Sequence, residues 1–150
     1  MNPPNLSKPR ILLVDDHPAI RKGLALLINQ QKHFEVCGEA SSVEEARRTA
    51  SALKPDLMIV DLTLGKADGL ELIRHLRHDE PNIPVLVLSM HDEQIYAPQA
   101  LRAGARGYVM KQDAVYQIFT AIEEVLAGQV YLSEKMKRLS ESADHHSDRN

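Results

Sequence analysis

Five polar side chains in this sequence stand at the ends of short apolar runs, and together they could carry phosphoryl-transfer chemistry. In chain order they are Asp15, Asp16, Asp61, Ser89 and Lys111. A carboxylate can act as a nucleophile towards phosphorus, and grouped carboxylates bind a hard divalent cation such as Mg²⁺. A hydroxyl donor and a compact ammonium group suit the oxygens of the transferred group. These residue types therefore predict a phosphoryl-transfer site, provided that the fold brings them together.

The elements that must position these side chains are strands that alternate with amphipathic helices. Runs typical of strands lie at 11–14, 34–40, 57–60, 85–88 and 108–110. Apolar residues at helical spacing lie between them. We therefore predict an α/β fold with a five-stranded parallel sheet, doubly wound by helices on both faces, because parallel neighbours need right-handed crossovers.

The expected strand order is 2-1-3-4-5, as in flavodoxin-like folds, and it predicts where a site would form. Sites of doubly wound sheets lie outside the carboxyl ends of the strands, where the strand order reverses. Asp15, Asp16 and Asp61 would meet there, and three crowded carboxylates require a raised pKa or a compensating cation. Each residue also has a structural alternative, because aspartate often caps helices, Ser89 could cap the next segment and Lys111 could be solvated. Their joint position at one edge favours the site.

Four segments resemble a known protein family: ILLVDDHPAIRKGL, LMIVDLTLGKADGLELI, VLVLSMHDE and LRAGARGYVMK. They resemble the receiver (REC) domain of bacterial two-component response regulators. The similarity is greatest to the NarL/FixJ type, whose receivers usually precede a LuxR-type helix-turn-helix domain. The resemblance covers about residues 10–132, and it implies the receiver (βα)5 fold and a role as a phosphorylation switch.

The resemblance implies a role for each acidic residue. Asp61 would accept a phosphoryl group from the phosphohistidine of a sensor histidine kinase. Asp16, Asp61 and the backbone carbonyl of Thr63 would ligate Mg²⁺, or Mn²⁺, directly. Asp15 would act on the metal mainly through water.

The resemblance also implies how the phosphoryl group is sensed. Lys111 would pair with the phosphoryl group, and Ser89 would swing towards it. Tyr108 matches the aromatic switch residue of the family, which turns inward as Ser89 moves. The domain would then be no enzyme but a phosphoacceptor with slow self-dephosphorylation.

Three positions depart from the common family pattern. Gly65 stands where the family commonly has proline, and glycine widens the backbone choices, so we expect a more mobile loop. Met90 is bulky where many receivers carry a small residue, and we expect it to slow attack on the phospho-aspartate or entry of small phosphodonors. Pro98 falls inside the expected fourth helix, so we expect that helix to start late or to be irregular, unless the proline lies in its first turn.

Length and composition limit the organisation of the chain. With 150 residues and a formal net charge of −3, the chain fits one compact domain and lacks a strongly basic nucleic-acid surface. We expect a flexible leader at 1–9, the receiver domain at 10–132, and a linker or disordered tail at 133–150, with an output DNA-binding domain absent from this chain. No stretch is typical of a signal peptide or membrane span, which favours a cytoplasmic location. The single cysteine, Cys37, is interpreted as a buried, inert thiol.

The leading functional interpretation is a switch that controls transcription through a helix-turn-helix domain missing here. Phosphorylation would change partner binding or homodimerisation. The interface would be formed either by the first and fifth helices or by the 4-5-5 face, which consists of the fourth helix, the fifth strand and the fifth helix. A stand-alone regulator that acts by protein contact is the alternative. A haloacid-dehalogenase-like phosphatase is less favoured, because such enzymes have a second aspartate where this chain has Thr63. A pseudo-receiver is disfavoured because the acid pair, Asp61, Ser89 and Lys111 are all present.

Three histidines are candidates for metal or site contacts. His75 and His78 are three residues apart on the predicted third helix, but no further ligand is evident, which favours solvated side chains. His17 follows the acidic pair, and we expect a loop or capping role for it rather than a catalytic one.

Overall fold

The computed structural model describes residues 8–65 and 67–147, and its centre is a parallel sheet of five strands. The strands are, in chain order, β1 (Arg10–Val14), β2 (Glu35–Ala40), β3 (Leu57–Val60), β4 (Thr63–Leu64), β5 (Ala67–Asp68), β6 (Val85–Ser89) and β7 (Gly107–Met110). The helices are α1 (Pro18–Asn29), α2 (Val43–Leu53), α3 (Gly69–Asp79), α4 (Glu93–Ala103), α5 (Ala114–Leu126) and α6 (Glu134–Ser147), with a 3-10 turn at Lys111–Asp113. Among these described helices, none combines the length and the apolar character that a bilayer crossing requires.

The longer strands pair in the order β2-β1-β3-β6-β7, and all four pairings are parallel. When only the five strands of this sheet are numbered, and β4 and β5 are left out, the order is 2-1-3-4-5. The predicted fold class is therefore confirmed. The short strands β4 and β5 form a separate antiparallel pair in the segment after β3.

Apolar side chains of the sheet alternate between two clusters, one on each face. In β1, Leu12 and Val14 lie in the cluster that contains residues of α2, α3 and α4, whereas Ile11 and Leu13 lie in the cluster that contains residues of α1 and α5. Because helices cover both faces, the strand is apolar at every one of these positions. Burying one such side chain contributes roughly 1.5–3 kcal/mol, so the core fixes the strand ends that carry the polar residues.

Helix α4 corrects two parts of the expectation about Pro98, the late start and the place in the first turn. The helix begins at Glu93, where the Asp92 side chain accepts a hydrogen bond from the Gln94 N–H at 2.9 Å, and it continues through Pro98 to Ala103. The helix therefore neither starts late nor places the proline in its first turn. Because proline has no N–H, the carbonyl of Gln94 does not receive the helical hydrogen bond that another residue at position 98 would donate.

The C-terminal segment corrects one part of the expectation. Residues 134–147, part of the segment 133–150 expected to form a linker or a disordered tail, form helix α6, so they are not disordered, and the linker alternative stays a prediction. Just before it, Tyr131 forms a bridge to Gly107 at the edge of the sheet. Tyr131 and Met136 are buried, and this packing against the domain is not visible in the polar composition of the tail. Residues 1–7 of the expected leader and residues 148–150 lie outside the described residues.

Candidate functional site

The carboxyl ends of β1 and β3 bring Asp15 and Asp61 together. Val14 pairs with Val60 in the parallel register, so the next residue of each strand leaves the sheet at the same edge. The Asp61 N–H donates to the Val14 carbonyl at 2.9 Å, which extends the ladder by one residue. Both aspartates are nearly buried, at 6% and 3% exposure. The strand register thus places two acidic side chains side by side in a poorly solvated position.

Lys111 reaches the same point from β7. Ser89 pairs with Met110, so Lys111 leaves the sheet one residue later. Its Nζ lies 3.0 Å from Asp61 Oδ2 and 3.0 Å from Asp15 Oδ2, and its side chain is 10% exposed. A pair of charges so enclosed is screened little by dissolved salt. Lys111 is therefore a bridge between two carboxylates and not a solvated surface charge.

Burial and neighbouring charges act against each other on the pKa values of this group. Burial raises the pKa of Asp61 above its ordinary value, although the hydrogen bonds from Lys111 and from the Thr63 N–H oppose the shift. Burial lowers the pKa of Lys111, but its hydrogen bonds to Asp15 and Asp61 outweigh burial and raise that pKa above its ordinary value. The lysine is thus held in its charged form, which favours the ionised, nucleophilic form of Asp61.

Asp16 contributes a third carboxylate, one oxygen of which is unpaired. Its Oδ2 accepts a hydrogen bond from the Gly65 N–H at 2.7 Å, whereas its Oδ1 is buried and has no hydrogen-bond partner among the described residues. Ligand atoms of Asp15, Asp16, His17 and Asp61 lie within 4.8 Å of one another. An unpaired buried oxygen beside two further carboxylates fits a hard divalent cation, because such ions prefer oxygen ligands. The three aspartates are therefore the residues that could hold a metal ion.

His17 takes a more direct part in this cluster than the expected loop or capping role. It occupies the N-cap position of α1, but its side chain makes no capping hydrogen bond. Its Nδ1 lies 3.0 Å from Asp15 Oδ1, 3.1 Å from Asp16 Oδ1 and 3.9 Å from Asp61 Oδ2. The contact with Asp16 has the distance but not the geometry of a hydrogen bond, since that oxygen stays unpaired. The position of His17 directly after the acidic pair was the signal in the sequence.

The departure at Gly65 has a structural explanation. Gly65 has a φ of +60°, in the left-handed region, whereas the ring of proline holds φ near −65°. The Gly65 N–H that binds Asp16 is also a group that proline lacks. Glycine at this position therefore orients a site carboxylate, and the mobility expected of the loop stays a prediction.

Ser89 and Tyr108 are held by the loop that follows β6. Ser89 is fully buried, and its Oγ accepts a hydrogen bond from the His91 N–H at 3.0 Å. Tyr108 is fully buried as well, and its hydroxyl donates to the His91 carbonyl at 2.8 Å. Burial raises the pKa of Tyr108 to about 12, although the Ser89 hydroxyl opposes the shift. Tyr108 thus lies inward, and within the described ranges no hydrogen bond joins Ser89 to Asp61.

His91 is a candidate functional residue that the sequence analysis missed. Its Nε2 and the Thr63 Oγ1 lie 2.8 Å apart and share a hydrogen bond. Its ring also packs on Tyr96, with 4.8 Å between the ring centroids. His91 therefore joins the segment after β3 to the loop after β6, next to Asp61. Its position two residues after Ser89 was the available cue.

The remaining candidates lie away from this cluster or at the surface. His75 is partly buried and His78 is exposed, and in the part of the chain that the structure describes they belong to no group of metal-ligating side chains. Met90 is 74% exposed, and its effect on phosphodonors stays a prediction. Cys37 is partly buried, and burial raises the pKa of its thiol, which disfavours the reactive thiolate.

Known proteins match most of the chain. The family model described as the response regulator receiver domain matches residues 11–123. The response regulator GacA of Pseudomonas viridiflava is 36% identical over 124 residues, which cover 83% of this chain and 58% of that protein. A LuxR-family two-component response regulator from Aurantimonas sp. SI85-9A1 has a similar structure, with a TM-score of 0.83 at 37% identity over 88% of this chain and 94% of the other.

The signal receiver domain of NarL from Mycobacterium tuberculosis is similar as well, with a TM-score of 0.76 at 30% identity. That match covers 81% of this chain and 98% of the other. The chain spans 56% to 58% of the length of the first curated relatives that it matches.

Proposed function

This chain belongs to the response regulator receiver domain family, and we propose that its Asp61 accepts a phosphoryl group from the phosphohistidine of a sensor histidine kinase. The observation that carries the proposal is the 3.0 Å contact between Asp61 Oδ2 and Lys111 Nζ within a cluster of carboxylates. In the transfer, a carboxylate oxygen of Asp61 forms a bond to phosphorus. The bond from phosphorus to the imidazole nitrogen breaks, and its electron pair stays on the imidazole. The product on this chain is an acyl phosphate.

The residues proposed to hold Mg²⁺, or Mn²⁺, are Asp15, Asp16, Asp61 and the backbone carbonyl of Thr63. The unpaired Asp16 Oδ1 and the close approach of the carboxylates support this assignment. The bound ion would neutralise charge on the oxygens of the transferred phosphoryl group. Asp15 already binds Lys111 and accepts a hydrogen bond from the His17 N–H at 2.8 Å. Because these contacts already occupy its oxygens, we propose that Asp15 contacts the metal ion through a water molecule.

Lys111 and Ser89 are proposed to contact the phosphoryl group once it is attached. Lys111 Nζ already lies at Asp61 Oδ2, so a short movement would bring it to a phosphoryl oxygen. The Ser89 hydroxyl would have to turn away from the loop after β6, and Tyr108, which holds the same loop, would respond. The proposed chemistry ends with slow self-dephosphorylation, and we propose no enzymatic turnover.

We further propose that the phosphorylated domain controls transcription together with a helix-turn-helix domain, in the cytoplasm, through a change in homodimerisation. Transcriptional regulators among the relatives support this output. Exposed apolar side chains lie on both candidate faces, with Leu26 on α1, Val115 and Tyr116 on α5, and Ile95 on α4. Action through protein contact alone is the alternative. A direct measure of the proposed dimer is the molecular mass in solution with and without phosphorylation.

Incubation with acetyl phosphate and Mg²⁺, followed by mass spectrometry of the intact chain, tests the proposed phosphorylation. The wild type should gain one phosphoryl group that hydroxylamine removes, and Asp61→Asn should gain none. Glu44→Gln makes a similar carboxyl-to-amide change at an exposed position and should be labelled like the wild type. Labelling that persists in Asp61→Asn would show that the assignment is wrong. So would a wild type that neither acetyl phosphate nor a phosphorylated kinase can label.

A further inference from the structure

His17 adds to the carboxylate cluster a nitrogen atom that the proposed magnesium site does not use. Its Nδ1 lies 3.0 Å from Asp15 Oδ1, 3.1 Å from Asp16 Oδ1 and 3.9 Å from Asp61 Oδ2. Magnesium prefers oxygen ligands, whereas imidazole suits zinc and other transition metals. The cluster therefore offers two sets of ligand atoms, one with the imidazole and one without it.

The distances from His17 Nδ1 fit the geometry of a tetrahedral zinc ion. Zinc lies about 2.0–2.2 Å from its nitrogen and oxygen ligands, so two ligand atoms of a tetrahedral site lie roughly 3.3–3.6 Å apart. The three distances fall on either side of this range, and movements of a few tenths of an ångström bring them into it. Ligand atoms of all four side chains already lie within 4.8 Å of one another. Small side-chain movements are therefore sufficient to enclose one ion.

Two carboxylate oxygens lie next to the imidazole. Asp16 Oδ1 is buried and, over the described ranges, has no hydrogen-bond partner. Asp15 directs its Oδ2 to Lys111, while its Oδ1 binds both the backbone N–H and the ring of His17. An ion held by the ring gives the unpaired oxygen a partner and takes the place of the ring hydrogen bond alone. The imidazole then carries its one proton on Nε2 and offers the lone pair of Nδ1.

We propose that Zn²⁺ binds to His17 and the three aspartates and that it blocks phosphorylation, so the block rests on the proposed function. Four protein ligands saturate a tetrahedral zinc ion, and such a closed site offers no open position to a phosphoryl oxygen. Mg²⁺ is octahedral and usually keeps several waters, which phosphoryl oxygens can replace. Zinc thus competes with magnesium for the carboxylates, and Asp61 accepts the phosphoryl group in the magnesium form alone.

Titration calorimetry of the full chain with Zn²⁺ and with Mg²⁺ tests the assignment of the ligand. His17→Ala should bind Zn²⁺ about a hundredfold more weakly, because even the loss of a group that only supports a ligand costs roughly 10–100-fold in metal affinity. Its Mg²⁺ affinity should change by less than about twofold, since magnesium prefers the oxygens that remain. His33 is exposed, and the control His33→Ala should bind both ions like the wild type.

The comparison of the two ions separates a metal ligand from a structural residue. If His17 only orients Asp15, its loss alters the affinities for Zn²⁺ and Mg²⁺ together. Equal Zn²⁺ affinity in His17→Ala and the wild type, or an equal loss for both ions, overturns the inference. His17→Asn retains a residue suited to the N-cap of α1 and replaces His17→Ala if that variant does not fold.

Visible absorption with Co²⁺ as the probe reports the coordination geometry. Co²⁺ can replace Zn²⁺ in tetrahedral sites, where it absorbs visible light much more strongly than in octahedral ones. The wild type should show a strong band that added Zn²⁺ removes, and His17→Ala should show weak absorption. A weak band in the wild type overturns the closed tetrahedral site.

The rate of labelling by acetyl phosphate in Mg²⁺, followed by mass spectrometry, tests the block. Zn²⁺ at ten times the dissociation constant measured in the same buffer should lower the wild-type rate about tenfold. The rate of His17→Ala at that Zn²⁺ concentration should fall by less than about a fifth of its own value in Mg²⁺ alone, because its site stays mostly unoccupied by zinc.

The outcomes separate the two proposals. If Zn²⁺ binds through His17 and the wild type is labelled equally fast with and without it, the block is overturned and the proposed function stands. If neither acetyl phosphate nor a phosphorylated kinase labels the wild type in Mg²⁺ alone, the proposed function fails and the block fails with it. Calorimetry and the Co²⁺ spectrum still decide the zinc site in that case, since neither measurement uses a phosphodonor.

Discussion

The ammonium group of Lys111 lies 3.0 Å from the Oδ2 atom of Asp61, although the strands that precede these residues are not neighbours. Strand β6 separates β3 from β7 in the sheet. A long side chain is needed to cross that gap, and lysine supplies it together with a compact charge. The contact offsets part of the effect of burial on the pKa of the carboxylate and leaves a cation beside the position where phosphoryl oxygens would lie.

Lys111→Ala should separate metal binding from binding of a phosphoryl analogue. The carboxylates that would hold Mg²⁺ are unchanged, so we expect Mg²⁺ affinity to be retained. Beryllofluoride affinity should fall about tenfold or more, because a charge-assisted hydrogen bond contributes roughly 1.5–3 kcal/mol. Titration calorimetry measures both affinities, and Lys32→Ala is the exposed control. Equal beryllofluoride affinity in Lys111→Ala and the wild type would contradict the assigned role.

Asp61→Asn should make the chain more stable near neutral pH when divalent cations are removed. Burial places the pKa of Asp61 above its ordinary value of 3.8, so the folded state favours the protonated acid. The stabilisation is present below the ordinary pKa and is lost as the pH rises through the folded value. Asparagine does not ionise, so the Asp61→Asn variant keeps its stability as the pH rises. The excess of its free energy of unfolding over that of the wild type should therefore shrink as the pH falls towards 3.8. Urea unfolding in EDTA at neutral and acid pH measures the difference, and an advantage that is absent at neutral pH or constant at acid pH refutes the prediction.

Substitutions of Gly65 should follow the order set by its backbone. Gly65→Ala should lower the free energy of unfolding by about 1–2 kcal/mol, because a side chain disfavours a positive φ. Gly65→Asn should lower the free energy of unfolding by less. Gly65→Pro should lower it most, since proline excludes the φ of +60° and removes the N–H that binds Asp16.

Gly23→Ala is the matched control for these variants. Gly23 lies within α1, and a Cβ added there meets nothing within 4 Å. Alanine should therefore stabilise the chain by roughly 0.5–1 kcal/mol. Urea unfolding measures the series, and a Gly65→Pro variant as stable as the wild type would show that the described turn is wrong.

Tyr108→Phe should destabilise the domain by about 1–3 kcal/mol, because the His91 carbonyl loses its donor in a buried position. The same deletion of a hydroxyl at Tyr116, which is 86% exposed, should change stability by less than about 0.5 kcal/mol. Thermal unfolding of the two variants gives the comparison. Equal effects at the two positions would show that the hydroxyl of Tyr108 is not engaged.

Much of the fold was predictable because it depends on local patterns. The unbroken apolar run Ile11–Val14 requires cover on both faces, and that requirement leads to a parallel sheet wrapped by helices. Helix α6 was not predictable in the same way. Its sequence is polar, and its order comes from contacts of Ser133 and Met136 with the rest of the domain.

In the candidate site, too, some features follow from local sequence patterns and others depend on tertiary contacts. That Asp15, Asp61 and Lys111 gather at one edge follows from their places after strands, since the ends of parallel strands share an edge. The hydrogen bond between His91 and Thr63 joins residues that are 28 positions apart, and it depends on the path of two loops. No local pattern in the sequence predicts such a contact.

The sequence by itself therefore determined the fold class, the family and the set of chemical groups at the sheet edge, because periodicity and strand ends are local properties. Only the tertiary structure decided that Lys111 bridges two carboxylates, that the Gly65 N–H holds Asp16 and that the Ser133 hydroxyl, just before α6, donates to Glu93 at the start of α4. Each of these contacts joins segments far apart in the chain. Their distances are set by the packing of the whole core, which no single segment encodes.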